Sequence, residues 1–211
     1  MIDPDAPLRR LVDAIVTGNA AEISRILTEN SSLAKASFQS TNATRQTAKQ
    51  NFIASVGRYI YRGDTALHFA SAAYETKAIQ ALIALGADVR AKNRLGDEPL
   101  HAAATGNPVS NRFNPKAQST AIKLLVEAGA DPNTTNKLGV SPLHKAVRTR
   151  CAAAVQTLLA SGADPAKKNK RGSDGMLLAR LNTGRGGSGS LEAKEQQLKI
   201  LKSLENARAA G

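Results

Sequence analysis

The sequence repeats itself at a fixed interval, and this repeat constrains the fold more than any other feature. Three segments share one pattern of glycine, leucine, histidine and alanine: GDTALHFASAA from Gly63, GDEPLHAAATG from Gly96 and GVSPLHKAVRT from Gly139. A degenerate copy, GSDGMLLARLN, starts at Gly172. The four glycines are 33, 43 and 33 residues apart. A unit of about 33 residues is too short to bury its own apolar face, so the units must stack on one another.

Each unit is predicted to contain two short helices joined to a hairpin. The first helix is rich in alanine, which lets neighbouring helices approach closely. The second helix carries apolar residues at i, i+3 and i+4, such as Ile79, Leu82 and Ile83, as expected for an amphipathic helix. A glycine follows each second helix, where the chain can turn with a positive φ. These glycines are Gly86, Gly129 and Gly162.

The repeat spacing predicts one domain over residues 1–211, built from about five units with extra residues in the first, third and last. Leu11, Ala14, Ile23 and Ile26 mark a weaker first unit. The predicted parts are 5–34 (N-terminal cap), 35–62 (insertion), 63–95, 96–138 with an insertion at 105–117, 139–171, and 172–208 (C-terminal cap) with an insertion at 183–190. For residues 41–55 the sequence leaves open an extra helix packed on the first unit or a partly disordered arm.

The repeated motif resembles that of the ankyrin repeat family, whose pattern is T-P-L-H-x-A. The matching residues are Thr65–Ala70, Glu98–Ala103 and Ser141–Ala146, and a Gly-Ala-Asp triplet follows each copy. The resemblance implies an all-α solenoid whose hairpin tips and first helices form a concave surface that binds partners without chemistry. It also implies that the histidines hydrogen-bond the backbone between neighbouring units. These histidines are His68, His101 and His144.

The three histidines are the only ones in the chain, which makes them candidate metal ligands. Helices of neighbouring units lie about 8–10 Å apart, too far for consecutive histidines to share a zinc ion at about 2.1 Å. Because all three histidines occupy the same structural position of the repeat, none remains to act as a catalytic base. We therefore expect no enzyme activity, metal or cofactor. Residues 184–189 match G-x-G-x-x-G, but a predicted helix precedes them where the dinucleotide motif needs a strand.

Positive charge is the main indication of a partner. The net charge is +12, from 29 basic and 17 acidic residues. Residues 35–62 sum to +5 and residues 137–185 to +8, whereas residues 63–136 are neutral. Asparagine stands at three tip positions where the family often has aspartate: Asn93, Asn136 and Asn169. The pattern predicts an electropositive strip along the hairpin tips, and the alternative is an ordinary solvated face.

We predict a non-catalytic module that binds an acidic protein through this strip. The candidate contacts are basic residues of the tips and first helices, with three aromatic anchors: Arg90, Lys92, Arg94, Lys137, Lys145, Arg148, Lys168, Lys170, Arg171, Phe69, Tyr59 and Tyr61. Phe69 follows His68, in a column that is expected to face the groove. The alternative is nucleic-acid binding through residues 35–62, where basic and aromatic residues alternate, and through the basic tips of 137–185.

The sequence gives weaker indications of location and assembly. No apolar run approaches the roughly 18 residues of a membrane span, so we expect no membrane partner. The single cysteine, Cys151, excludes an internal disulfide and fits a reducing compartment. We therefore expect a cytoplasmic protein, with delivery into another cell left open. Polar residues of the last predicted helix, such as Glu192 and Lys199, are expected to cap the stack and favour a monomer.

Overall fold

The computed structural model describes residues 3–41, 44, 47–108, 113–181 and 190–209. Within them the chain forms ten α-helices, which follow one another as five pairs. The helices are α1 (Ala6–Val16), α2 (Ala20–Glu29), α3 (Ala66–Ala73), α4 (Thr76–Ala84), α5 (Pro99–Ala103), α6 (Pro115–Glu127), α7 (Pro142–Arg148), α8 (Ala152–Ala160), α9 (Gly175–Arg180) and α10 (Leu191–Ala209). None of the helices in these residues is long and apolar enough to cross a bilayer. The all-α repeat fold predicted from the sequence is confirmed.

The helices stack in two rows, an inner row of first helices and an outer row of second helices. In the inner row α1 packs on α3, α3 on α5, α5 on α7 and α7 on α9. In the outer row α4 packs on α6, α6 on α8 and α8 on α10. The core lies between the rows and repeats with the sequence, since Leu67 and Leu100 from inner helices and Ile79, Ile122 and Leu158 from outer helices are all fully buried.

The repeated motif starts each inner helix by satisfying its first backbone groups. In the fourth unit, Ser141 has an extended backbone and its hydroxyl accepts the N–H of His144. In return, Nδ1 of His144 accepts the N–H of Ser141 at 3.1 Å. This reciprocal capping box ends the hairpin and begins the helix. Pro99 and Pro142 occupy the first helical position, where the missing N–H has no helical partner to lose.

The segment between the first two units forms a short hairpin. Strand β1 (Phe52–Ile53) pairs antiparallel with β2 (Arg58–Tyr59), and Gly57 between them has a φ of 58°. Among the described residues of 41–55 there is no α-helix, so the extra helix left open above does not form there. Phe38 and Ile60, at either side of this segment, are fully buried and fix it against the stack.

Asp5, at the start of α1, holds the same segment from the other side. Its carboxylate accepts the backbone N–H groups of Gln39, Ser40 and Thr41 at 3.0, 3.0 and 2.6 Å. It also accepts the hydroxyl of Ser40 at 2.7 Å. Burial alone would raise the pKa of Asp5, but these hydrogen bonds to the ionised form hold it at about 2. The inserted segment is therefore tied to the N-terminal helix by one carboxylate.

The insertion expected at 105–117 leaves α5 and runs into the first turn of α6. Tyr74 of the preceding unit anchors it, since its hydroxyl donates to the carbonyl of Thr105 at 2.5 Å and its ring meets Phe113 edge-on at 6.3 Å. Gln118 donates to the Tyr74 hydroxyl and to the carbonyl of Ala103. Residues 109–112 and 182–189 lie outside the described residues, and with them most of the insertion predicted at 183–190 and all of the G-x-G-x-x-G match.

Candidate partner-binding surface

The hairpin tips of successive units are joined by backbone hydrogen bonds. The N–H groups of Arg94, Lys137 and Lys170 donate to carbonyl groups of the preceding tip at 2.7, 3.0 and 3.1 Å. The acceptors are Arg62, Leu95 and Leu138. These three basic residues therefore occupy one column of the stack, and their side chains are exposed. We call the exposed basic residues of these tips the tip surface: Arg90, Lys92, Arg94, Lys137, Lys168, Lys170 and Arg171.

Asparagines give each tip its shape. The side-chain oxygen of Asn136 accepts the N–H groups of Leu138 and Val140 at 2.9 and 3.0 Å, and Asn93 and Asn169 make the same pair of bonds within their own loops. Two of the amides also bridge units, because Asn93 donates to Asp64 and Asn136 to Asp97, each at 2.8 Å. The asparagines thus shape the tips, in addition to avoiding the negative charge that aspartate would bring to the basic strip.

Four cations of the last two tips form no ion pair within the described residues. Lys137, Lys168, Lys170 and Arg171 are exposed, and none has a carboxylate oxygen within 4.0 Å in the part of the chain that the structure describes. Arg148, at the end of α7, is also exposed. Exposed charges of one sign along a row raise the local concentration of an oppositely charged partner and speed its association.

Two cations of the preceding tip, Arg90 and Lys92, already contact oxygen atoms of the same chain. The Arg90 Nε donates to the carbonyl of Gly129 in the next unit at 2.8 Å. The Lys92 Nζ lies 3.6 Å from a carboxylate oxygen of Glu98, although the lysine side chain is 58% exposed. Glu98 itself is buried and accepts the hydroxyl of Thr134 at 2.6 Å. Both cations lie near the surface, but the carbonyl and carboxylate oxygens that they contact offset part of their charge.

Lys145 does not present a free charge, contrary to the sequence expectation. Its Nζ lies 2.5 Å from Oδ2 of Asp97, and its side chain is only 24% exposed. Burial would raise the pKa of Asp97, but the ammonium group, His101 and the Asn136 amide together hold it at about 2. Burial lowers the pKa of Lys145, and Asp97 opposes this shift. The ion pair links two units. Because Asp97 neutralises its charge, Lys145 offers little to a partner.

Phe69 does not face the groove, and its proposal as an exposed anchor is wrong. The side chain is fully buried. Its ring packs edge-on against Phe38 at 6.1 Å, and the guanidinium of Arg58 lies over its face at 5.6 Å. Phe38 and Arg58 both come from the inserted segment, which covers the position that an ordinary repeat would leave open. The same arginine pairs with the buried carboxylate of Asp64 at 2.7 Å.

The other two aromatic candidates, Tyr59 and Tyr61, form a continuous surface cluster with Phe52, which is not among the predicted contacts for a protein partner. Tyr59 is 39% exposed and Phe52 is 43% exposed, and their rings lie 4.9 Å apart across the short hairpin. Tyr61 is half-buried, 6.4 Å from Tyr59, and the Arg94 guanidinium covers its ring at 5.3 Å. We call these four residues the aromatic cluster. Recognition of the two-residue strands around Gly57 would have identified Phe52 as the partner of Tyr59.

The histidines have no free nitrogen for a ligand. In each one, Nδ1 accepts a backbone N–H of its own unit at 3.1 Å. Nε2 is 3.0, 2.9 and 2.9 Å from a carbonyl oxygen of the next unit, and donates there. These carbonyls belong to Asp97, Val140 and Ser173. Burial lowers the pKa of each histidine, that of His101 to about 4. No cluster of metal-ligating side chains occurs within the described residues.

The Gly-Ala-Asp triplets turn the chain from each outer helix into the next tip. The glycines have positive φ values of 82°, 99° and 88°, a region in which side chains with a Cβ are strained. These are Gly86, Gly129 and Gly162. The aspartates are exposed, and each caps a backbone N–H two residues on at 2.8 Å. The tips therefore hold three carboxylates as well as their cations: Asp88, Asp131 and Asp164.

Comparison with known families gives one consistent result. Models described as "Ankyrin repeat" match residues 62–94 and 95–137, and one described as "Ankyrin repeats (many copies)" matches residues 125–174. Together the matches span residues 62–174, more than half of the 211-residue chain. No match was found among curated proteins.

Proposed function

Because the chain belongs to the ankyrin repeat family, whose members are generally protein-interaction modules, we propose that it is a non-catalytic module that binds an acidic protein through the tip surface. The observation that carries this proposal is the row of unpaired cations on the last two tips. Lys137, Lys168, Lys170 and Arg171 are exposed, and the backbone bonds of Lys137 and Lys170 hold the successive tips in register. A rigid row of like charges favours an extended acidic segment over a small ligand.

The aromatic cluster supplies the apolar part of the proposed interface. Binding energy concentrates in a few aromatic and arginine side chains, while peripheral charges mainly set the rate and register of association. Tyr59 and Phe52 are partly exposed beside Arg94, which also belongs to the tip surface. We therefore place the main contact at the aromatic cluster and the electrostatic guidance at the basic tips. Such binding needs no catalytic side chain, and both ring nitrogens of each histidine are already hydrogen-bonded to the backbone.

Charge reversal tests the electrostatic part of the proposal. A variant with Lys168→Glu, Lys170→Glu and Arg171→Glu should recover at least about tenfold less protein from native lysate than the wild type, because it turns the row acidic. A matched control reverses Lys77, Lys116 and Lys123, which are exposed on the outer helices and give the same change in net charge. The readout is quantitative mass spectrometry of the proteins captured on the immobilised chain.

The proteins recovered by the wild type, the tip variant and the control show whether the tip surface binds a partner. The proposal predicts that the control captures the same acidic proteins as the wild type and that the tip variant loses them. Equal recovery by all three proteins, or equal loss in the control, would refute a role for the tip surface. Circular dichroism and thermal unfolding of each variant establish that a loss of capture does not reflect a loss of fold.

The aromatic cluster also favours a second candidate, the binding of single-stranded nucleic acid. Exposed rings next to basic side chains suit base stacking combined with phosphate contacts. The test is fluorescence anisotropy with a labelled single-stranded oligonucleotide at several salt concentrations. About six phosphate contacts would give a log–log slope near −4, and Phe52→Ala with Tyr59→Ala would weaken binding by about tenfold or more. An absence of binding at low salt would exclude this candidate, and nuclease treatment in the capture assay would then change nothing.

A further inference from the structure

The C-terminal end of the stack exposes leucines where interior units bury apolar side chains. Leu177 of α9 and Leu191 and Leu198 of α10 are 43%, 75% and 67% exposed. Leu177 lies 33 residues after His144, whose ring points at the following unit and bonds the carbonyl of Ser173. The leucine therefore occupies a column that faces the next unit in the stack. Polar residues expected to cap this end, such as Lys199, are exposed but do not cover it.

Helix geometry places four residues of α10 on the side that faces away from α8. Gln196 and Ser203 face α8, since Gln196 accepts the N–H of Ala152 and Ser203 contacts Gln156. Residues two positions away are turned by about 200°, because each residue advances the helix by about 100°. These residues are Lys194 and Leu198, on either side of Gln196, and Leu201 and Glu205, on either side of Ser203. We call this stripe the end face; Leu201 packs partly against the core, and the other three residues are exposed.

The end face is complementary to itself. Its spacing is i, i+4, i+7 and i+11, the alternation of four and three with which two helices pack along a seam. In an antiparallel pair of α10 helices, Lys194 of one copy meets Glu205 of the other, and Leu198 meets Leu201. The twofold axis repeats each contact, so one arrangement makes two lysine–glutamate pairs around a leucine centre. A twofold interface requires such a match, because the same patch serves both copies.

From this match we propose that the end face binds a second copy of the chain, giving a twofold dimer through antiparallel α10 helices. The exposed Leu177 of α9 lies at the same end of the stack and adds to the apolar area. One long and one short helix give a small interface, so we expect a reversible dimer with a dissociation constant on the order of 10 µM. The charge pairs fix the antiparallel register, and the leucines supply most of the buried apolar area.

Sedimentation velocity of the full chain over about 1–500 µM tests this proposal. The wild type should shift from the mass of one chain to the mass of two. Lys194→Glu and Glu205→Lys should each weaken association by about tenfold or more, because each sets like charges against one another twice. The double variant carries both changes, keeps the net charge, and should return the dissociation constant to within about threefold of the wild type.

A control separates the pairing from general charge effects. Lys199→Glu makes the same change as Lys194→Glu on a part of α10 outside the end face, and should leave the dimer unchanged. Leu198→Lys should abolish association while far-UV circular dichroism stays the same. A single-chain mass at every concentration, an assembly larger than two, or failure of the double variant to restore association would each overturn the proposal.

Discussion

Lowering the pH from about 7.5 to about 5 should destabilise this fold, because three histidines are buried in the neutral form. Burial lowers the pKa of His101 from 6.5 to about 4, and it also lowers the pKa values of His68 and His144. The unfolded chain takes up a proton at each histidine below about pH 6.5, and the folded chain takes it up only at a lower pH. The stabilisation is therefore complete above pH 6.5 and is lost as the pH falls towards 4.

The size of the effect follows from these values. For His101 alone, a folded pKa of about 4 against 6.5 gives a loss of about 2 kcal/mol in unfolding free energy between pH 7.5 and 5. The other two histidines add losses of the same sign. Glu98 acts in the opposite direction, since burial raises its pKa. Asp5 and Asp97 have pKa values of about 2, and they do not titrate in this range.

Urea unfolding at several pH values measures the prediction, with His101→Gln beside the wild type. The variant loses the Nδ1 that accepts the N–H of Glu98 and should be less stable at neutral pH. Its stability should nevertheless fall by about 2 kcal/mol less than that of the wild type between pH 7.5 and 5. A wild type equally stable at both pH values, or a variant with an undiminished pH dependence, would refute the assignment of buried neutral histidines.

Three further substitutions test separate parts of the structure. Asn136→Asp sets a second carboxylate against that of Asp97, and we expect a loss of about 2–3 kcal/mol in urea unfolding. Leu125→Ala removes a fully buried side chain, for which the same assay should give a loss of about 2–5 kcal/mol. Asp5→Asn weakens the bonds to residues 39–41, so hydrogen exchange should speed up at their amides while α8 keeps its protection.

The repeat spacing predicts the helices well because each repeated residue type has one local physical role. The leucines and isoleucines fill the space between the two rows, and the histidines start the inner helices and bridge units. The glycines accept a positive φ, as at Gly129, where φ is 99°. These roles depend on the residue and on neighbours that recur with the motif, so they are repeated at every copy. The family match over residues 62–174 covers this regular part of the chain.

The inserted segment could not be predicted in the same way, because its structure depends on distant contacts. Phe38 packs in the core against Phe69, which belongs to the next unit, and the carboxylate that fixes residues 39–41 is that of Asp5. No repeated pattern marks either contact. For the same reason the exposure of Phe69 could not be read from its column: an ordinary repeat has no segment to cover that position, and this chain has one.

The residue type at one repeated position determines whether nearby cations are neutralised by a buried carboxylate. The residue after the tip glycine, in unit order, is Asp64, Asp97, Val140 and Ser173. The two aspartates are buried and pair with Arg58 and Lys145, which removes those cations from the surface. Valine and serine have no carboxylate to offer, and the described cations of the last two tips form no ion pair with either. The change from acid to neutral at this position therefore leaves the last two tips without a buried carboxylate there, and these are the tips to which we assign the electrostatic guidance of a partner.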